Sequence, residues 1–149
     1  IVAKKLDLEF IDTDTLIEAK YSMKISEIFK KKGEKFFRLE EEKEALKSLK
    51  KSNCVIALGG GGFMNKNIRS KVLEDATSIW LDVNLNTINK RTKWNKKRPL
   101  LNKVNVKKKI DQLYSERKNI YNLSKYKIDC GGLSKENISK KIITIYEKN

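Results

Sequence analysis

The feature that most constrains the fold is an apolar run that ends in four consecutive glycines. Residues 55–58 read Val-Ile-Ala-Leu, and glycine occupies positions 59–62. Because no polar residue alternates with the apolar ones, the run predicts a strand buried on both faces. Glycine allows the backbone to approach a ligand closely, and ligands of open α/β sheets bind at the carboxyl ends of strands. The glycines therefore predict a ligand-binding turn, or else a flexible connection to the next helix.

Strands and helices alternate along the chain. Short apolar runs predict strands near 8–11, 54–58, 77–82 and 127–130, and apolar residues at helical spacing predict helices near 25–31, 34–50, 65–73, 85–93, 106–123 and 134–146. This alternation is typical of a parallel sheet covered on both faces by helices. The length predicts a single domain, 1–149. A basic and polar segment at about 94–105, with the chain's only proline, predicts a lid.

The formal net charge of +15 permits a nucleic-acid partner, but the lysines are spread along the whole chain. We therefore expect no nucleic-acid partner, and keep a basic nucleic-acid-binding protein as an alternative. No apolar run is long enough to span a membrane. Two cysteines in predicted strands, Cys54 and Cys130, are typical of small core residues in a reducing compartment. These features predict a cytoplasmic protein without a membrane partner.

Arginine is rare in this chain and therefore informative. Only five of the 34 basic residues are arginine, namely Arg38, Arg69, Arg91, Arg98 and Arg117. Arginine is the residue that binds carboxylate or phosphate through two parallel hydrogen bonds. Arg117 falls on the apolar stripe of its helix and so needs an anionic partner. For Arg69, on a predicted exposed helix face, we expect only a solvated charge.

Two carboxylates follow the first predicted strand. Asp12 and Asp14 lie on either side of Thr13, immediately before a helical segment. One interpretation is a helix N-cap, which Asp and Thr both favour. The other is a pair of carboxylates that serve a metal ion and a base at the carboxyl end of a strand. The sequence leaves both open.

Taken together, the motifs resemble the shikimate kinase family of P-loop, nucleoside-monophosphate-kinase-like enzymes. The matching pieces occur in the family's order and extend over the whole chain: Phe10-Ile11-Asp12-Thr13-Asp14, Gly33-Glu34 with Phe37-Arg38 and Glu41, Leu58-Gly59-Gly60-Gly61, Arg98-Pro99-Leu100-Leu101, and Glu116-Arg117 with Ile120-Tyr121. The resemblance implies a three-layer α/β fold with a parallel sheet in the order 2-3-1-4-5. It also implies a monomer that phosphorylates the 3-hydroxyl of shikimate with ATP and Mg²⁺, a step of chorismate and aromatic amino acid biosynthesis.

The resemblance implies a role for each acceptor-side residue. Asp14 would bind the shikimate hydroxyls and act as the base or orienting group for the attacking 3-hydroxyl. Arg38 and Arg117 would clamp the shikimate carboxylate. Gly59, Gly60 and Gly61 would offer backbone contacts to shikimate, and the middle glycine would do so most directly.

The remaining implied roles concern ATP and the metal. Asp12 would hold Mg²⁺ through water. Arg98, on the lid, would close over the phosphates and stabilise charge on the transferring group. Arg91 would lie against the adenine.

One family motif is not found in these 149 residues. The phosphate-binding loop, G-x-x-x-x-G-K-(S/T), does not occur, and by the family pattern it and the central first strand would precede Ile1. We therefore expect an N-terminally incomplete piece of a longer kinase, which on its own binds ATP poorly and transfers no phosphate. The alternatives are another kinase of the same fold, such as a gluconate kinase, and a non-catalytic pseudokinase that binds the acceptor.

Overall fold

The computed structural model describes residues 1–88 and 106–149. These residues contain four strands, β1 (Glu9–Asp12), β2 (Cys54–Ala57), β3 (Ile79–Asp82) and β4 (Tyr126–Asp129). The helices with both ends inside the described ranges are α1 (Val2–Leu6), α2 (Thr13–Tyr21), α3 (Ile25–Ser48), α4 (Lys66–Asp75), α5 (Val106–Tyr121) and α6 (Lys135–Tyr146). The four strands occur where the apolar runs predict them. Of the predicted helix at 85–93, residues 85–88 are helical, and the rest lies outside the described residues, as does the predicted lid at 94–105.

The strands form two parallel pairs. β1 pairs with β2 in the register that places Asp12 beside Ala57, and β3 pairs with β4 in the register that places Asp82 beside Asp129. Within the described residues no strand joins β2 to β3. In a sheet of the order 2-3-1-4-5, these two parallel pairs correspond to strands 2 and 3 on one side of the central strand and to strands 4 and 5 on the other. Both pairs end in acidic or glycine-containing segments at their carboxyl ends, and the candidate site lies at the carboxyl ends of β1 and β2.

β2 is less enclosed than its apolar sequence predicts. All four of its residues, Cys54–Ala57, are half-buried rather than buried. The physical reason is that, among the described strands, β2 pairs along only one of its edges. The prediction of a strand is confirmed, and the prediction that it is buried on both faces is wrong for this structure.

A glycine divides α3 into two helical segments. Gly33 has φ 82° and ψ 166°, a backbone conformation outside the helical region. Residues with a Cβ rarely adopt positive φ, so glycine is the residue that permits this break. The sequence prediction of two helices separated at Gly33 is confirmed. The second segment supplies Arg38 to the site.

Two apolar clusters hold α3 in place. In the first, Ile17 of α2 packs with Ile28 and Phe37 of α3. In the second, Ala45 of α3 packs with residues of α4, and Leu58 and Phe63, which flank the glycines, pack against it. Because one helix contributes to both clusters, the position of α3 relative to the glycine turn is fixed by buried contacts.

Two other sequence expectations concern the chain as a whole. In the described part of the chain, no helix combines the length and apolar character that crossing a membrane requires. Cys54 is half-buried and Cys130 is buried.

Candidate acceptor site

Asp12 begins the site by capping α2. Its Oδ1 accepts hydrogen bonds from the backbone N–H of Asp14 at 3.0 Å and of Thr15 at 3.2 Å. These are two of the N–H groups that have no partner inside a helix. The capping interpretation of the sequence is therefore confirmed. A role of Asp12 with a metal ion is not tested by this contact and stays a prediction.

Thr13 joins this turn to the glycine segment. Its side chain is fully buried, and its Oγ1 donates a hydrogen bond to the carbonyl of Ala57 at 3.3 Å and accepts one from the N–H of Gly59 at 3.3 Å. The carboxyl ends of β1 and β2 are thus tied together by one hydroxyl. This bridge brings Asp14 next to the first glycine.

Asp14 is held in a half-buried position against the glycines. A Cβ built on Gly59 would lie 2.6 Å from Asp14 Oδ1, so only glycine fits there without displacing the carboxylate. Oδ1 is buried and has no hydrogen-bond partner among the described residues. Burial, followed by the charge of Asp12, raises the pKa of Asp14, and the charge of Arg38 opposes this. A buried oxygen of this kind is suited to a ligand hydroxyl.

Arg38 reaches the third glycine from α3. Its Nη1 donates to Oε2 of Glu41 at 2.6 Å, and its Nη2 donates to Oε1 of Glu34 at 3.2 Å. A Cβ on Gly61 would collide with the guanidinium, 2.7 Å from Cζ. Arg38 is therefore braced by two carboxylates and packed against bare backbone.

Arg117, on α5, reaches the middle glycine. Its Nη1 would lie 3.1 Å from a Cβ built on Gly60. The Tyr121 hydroxyl, one helical turn further, donates a hydrogen bond to the carbonyl of Gly60. The structure thus brings Asp14, Arg38, Arg117 and the glycines together, as the sequence predicts.

Glu41 is a buried residue of the candidate site to which the sequence analysis assigns no role. It is 2 % exposed, and burial raises its pKa, although its ion pair with Arg38 opposes this. A buried charge is costly unless it is paired, so Glu41 and Arg38 hold each other in place. The signal in the sequence is the spacing of three residues, which places both on one helix face.

The expectation that Arg69 is merely a solvated charge is wrong. Arg69 is half-buried, and its Nη1 donates to the backbone carbonyls of Phe63 at 3.1 Å and Met64 at 3.0 Å. These carbonyls belong to a short 3₁₀ turn, Gly62–Met64, that directly follows the glycines. Sequence periodicity places the residue on a helix face but cannot show that this turn folds back toward it.

Arg91 and Arg98, the predicted adenine and lid residues, lie outside the described residues. Their roles stay predictions.

Two guanidiniums and one buried carboxylate around a bare glycine backbone suit a ligand with a carboxylate and hydroxyl groups. Solved structures of known proteins share this fold. The structure is similar to the shikimate kinase from Acinetobacter baumannii in complex with shikimate, with a TM-score of 0.94, 28 % identity and coverage of 99 % of this chain and 83 % of that one. It is also similar to the shikimate kinase of Aquifex aeolicus, with a TM-score of 0.84, 29 % identity and coverage of 98 % and 85 %. The fold and the site thus define an α/β kinase of small molecules.

The sequence comparisons narrow the class to one family. A shikimate kinase from a Sulfurihydrogenibium species is 39 % identical over 144 residues, covering 97 % of this chain and 86 % of the relative. The shikimate kinase of Bacillus subtilis is 37 % identical over 146 residues, covering 96 % and 77 %. The family model for shikimate kinase matches residues 1–147. The chain belongs to the shikimate kinase family, and the predicted P-loop kinase-like fold class is confirmed.

Proposed function

We propose that the protein transfers the γ-phosphoryl group of ATP to the 3-hydroxyl of shikimate, a step of aromatic amino acid biosynthesis. The observation that supports this best is the packing of three glycines against one carboxylate and two guanidiniums. A Cβ on Gly59 or Gly61 would meet Asp14 or Arg38 at less than normal contact distance. The space beside bare backbone is therefore bounded by groups that match a carboxylate-bearing polyol.

The two arginines bind the carboxylate of the acceptor in this proposal. Arg38 approaches Gly61 from α3, and Arg117 approaches Gly60 from α5. Guanidinium groups bind a planar carboxylate through paired, charge-assisted hydrogen bonds. Glu41 keeps Arg38 extended toward the glycines through the 2.6 Å ion pair.

Asp14 acts on the reacting hydroxyl. The buried Oδ1 accepts the hydrogen bond of the 3-hydroxyl and takes its proton as the oxygen attacks the γ-phosphorus. The bond between the γ-phosphorus and its bridging oxygen breaks at the same time, and ADP leaves with the electron pair. The protein's main contribution is to align these groups and to neutralise charge.

Asp12 is the residue that would hold Mg²⁺. Among the described residues no group of three potential ligands is found, and a single carboxylate completed by water and substrate phosphates is the usual Mg²⁺ arrangement in kinases. Bound there, Mg²⁺ would neutralise phosphate charge. Arg98 and Arg91 complete the ATP side, on the strength of the family resemblance. We further propose that the protein is cytoplasmic, since two cysteines in predicted strands are typical of a reducing compartment, and that it is a monomer, on the strength of the family resemblance.

The acceptor is tested first by calorimetric titration of shikimate into the protein. We expect saturable binding, no comparable binding of gluconate, and a strongly weakened affinity for Arg117→Lys, because a lysine ammonium cannot form the two parallel hydrogen bonds of a guanidinium. If the lysine variant bound shikimate with unchanged affinity, Arg117 would not be one of the residues that bind the carboxylate. Preferential binding of gluconate would move the proposal to another kinase of this fold.

Turnover requires a phosphate-binding loop. It is measured on a chain in which a strand and loop of the family pattern precede Ile1, called below the loop-containing protein. We expect phosphate transfer that depends on both ATP and shikimate, and its loss in Asp14→Asn with ATP affinity nearly intact. An active asparagine variant would exclude Asp14 as the base. A folded protein that binds shikimate without transferring phosphate would favour the pseudokinase alternative.

A further inference from the structure

Arg117 lies between two tyrosines on one face of α5. Tyr114 precedes it by three residues and Tyr121 follows it by four, and residues at these spacings are neighbours on a helix surface. Each tyrosine hydroxyl makes a hydrogen bond to a different part of the protein. The part of α5 that bears Arg117, from Tyr114 to Tyr121, is therefore hydrogen-bonded to the rest of the protein at both ends.

The first fastening joins α5 to the carboxyl end of β3. The Tyr114 hydroxyl donates to Asp82 Oδ1 at 3.1 Å, while Lys127 of β4 donates to Asp82 Oδ2 at 2.9 Å. Burial, followed by this hydrogen bond, raises the pKa of Tyr114. Asp82 thus receives one hydrogen bond from the helix and one from the neighbouring strand.

The second fastening joins α5 to the glycine turn. The Tyr121 hydroxyl donates to the carbonyl of Gly60. Its ring packs edge-on against Trp80 of β3, with 5.9 Å between centroids, and lies 6.4 Å from the ring of Phe63. Because a peptide group is planar, holding the Gly60 carbonyl also fixes the N–H of Gly61. One hydroxyl therefore sets both the glycine backbone and the position of the helix end.

We propose that Tyr114 and Tyr121 are positioning residues that hold the Arg117 guanidinium at the glycine turn in the geometry that binds the substrate carboxylate. The inference rests on the proposed function, in which Arg117 binds that carboxylate. In the described part of the chain, Arg117 has no ion pair with a protein carboxylate. The position of the Arg117 guanidinium therefore depends on how α5 is held in place rather than on an ion pair. Arg38 differs, because it forms ion pairs with Glu34 and Glu41.

The test uses phenylalanine substitutions, which remove the hydroxyl and keep the ring. Tyr114→Phe and Tyr121→Phe are each expected to raise the shikimate Kd by about 2- to 10-fold, the effect of one net hydrogen bond. In the loop-containing protein, the shikimate KM rises similarly, whereas kcat and the ATP KM stay within about 2-fold. The matched control is Tyr126→Phe, whose hydroxyl donates to Asn149 Oδ1 at 2.8 Å, away from the glycines. We expect no change in shikimate affinity for the control.

A double-mutant cycle shows whether the tyrosines act through Arg117. In an Arg117→Lys background, each Tyr→Phe effect is expected to shrink, because the group being positioned is gone. Full effects in that background, or unchanged shikimate affinity in both Tyr→Phe variants, would overturn the proposal. A fall in Tm without a change in Kd would show a purely structural role and would overturn it as well. If Arg117→Lys alone leaves Kd unchanged, it is the proposed clamp that fails.

Discussion

At the scale of single residues, the site depends on the absence of side chains as much as on their presence. The three glycines at 59–61 have different neighbours: Asp14 at the first, Arg117 at the second and Arg38 at the third. Each missing Cβ leaves room for a charged group beside the backbone. A small substitution is therefore expected to change binding before it changes folding.

Gly61→Ala is expected to weaken shikimate binding while the protein remains folded. The new Cβ would overlap the Arg38 guanidinium, which would lie 2.7 Å away at Cζ. Since a guanidinium is the end of a flexible side chain, it moves aside, and the loss of one hydrogen bond between charged groups, about 1.5–3 kcal/mol, weakens binding by about 10- to 150-fold. Calorimetric titration gives the shikimate Kd, and thermal unfolding checks the fold.

Gly62→Ala is the matched control for this change. A Cβ at Gly62 would meet its nearest neighbours, Glu41 Oε1 and Leu58 Cβ, at 3.6 Å, which is ordinary contact. Shikimate affinity is expected to stay near the wild-type value. If both variants lost shikimate affinity equally, the conformation of the glycine turn as a whole, rather than the position of the Arg38 guanidinium, would control binding.

At the scale of secondary-structure elements, a group of charges locks α2 onto α3. Lys20 of α2 donates to Glu40 at 2.8 Å and to Glu44 at 2.9 Å, and Lys43 donates to the other oxygen of Glu40 at 2.8 Å. The Glu40 side chain is only 5 % exposed. Because α2 begins at the candidate site and α3 bears Arg38, this group, together with the apolar contacts of Ile17, holds the two helices that contribute to the site against each other.

Acid is expected to destabilise the protein through Glu40. Hydrogen bonds from Lys20, Lys43 and Tyr21 lower the pKa of Glu40 to about 2, while Glu44 shares Lys20. A carboxyl whose pKa is lower in the folded state stabilises the fold above its unfolded pKa, about 4.3, and loses that contribution as pH falls toward the folded value. The wild-type Tm should exceed that of Glu40→Gln by several degrees at pH 6, and the difference should vanish toward pH 2.

Glu9→Gln serves as the control for this pH dependence. Glu9 pairs with Lys51 at 2.7 Å, but both side chains are about half exposed, at 53 % and 51 %. Exposed pairs contribute little to stability, so we expect almost no change in Tm at either pH. A pH-independent deficit in Glu40→Gln would mean that lost packing, rather than lost charge, is responsible.

The elements show which features local sequence can predict. Ser134 caps α6 by accepting from the N–H of Asn137 at 3.2 Å, and Gly33 breaks α3, because both depend on neighbours along the chain. Glutamate is usually found at the surface, so the sequence does not predict that Glu40 is buried. Its burial results from the packing of α2 against α3. The contacts of Arg69 likewise depend on the shape of the turn at Gly62–Met64, which precedes it in the chain. Charged residues on helices were thus the hardest to predict.

At the scale of the whole molecule, the site draws on residues far apart in the chain. Asp14 follows β1, the glycines follow β2, and Arg117 lies on α5. The sequence could predict that side chains at the carboxyl ends of parallel strands lie at the same edge of the sheet. The family resemblance then identified which of these side chains belong to the site. The contacts that place them, such as the bridge from Thr13 to Gly59, depend on distances that no pattern contains.

The net charge gives a last prediction, in which salt has opposite effects on stability and on binding rates. A formal charge of +15 repels itself in the compact state and attracts anions. Raising sodium chloride from about 10 mM to about 150 mM shortens the Debye length from about 30 Å to about 8 Å. We expect the Tm to rise and, in the loop-containing protein, the association rate constant of polyanionic ATP to fall more than that of shikimate, which has one charge. Stopped-flow binding measures both rates. Equal decreases for the two ligands would show that salt acts on the protein itself rather than by screening attraction, since screening must scale with the charge of the ligand.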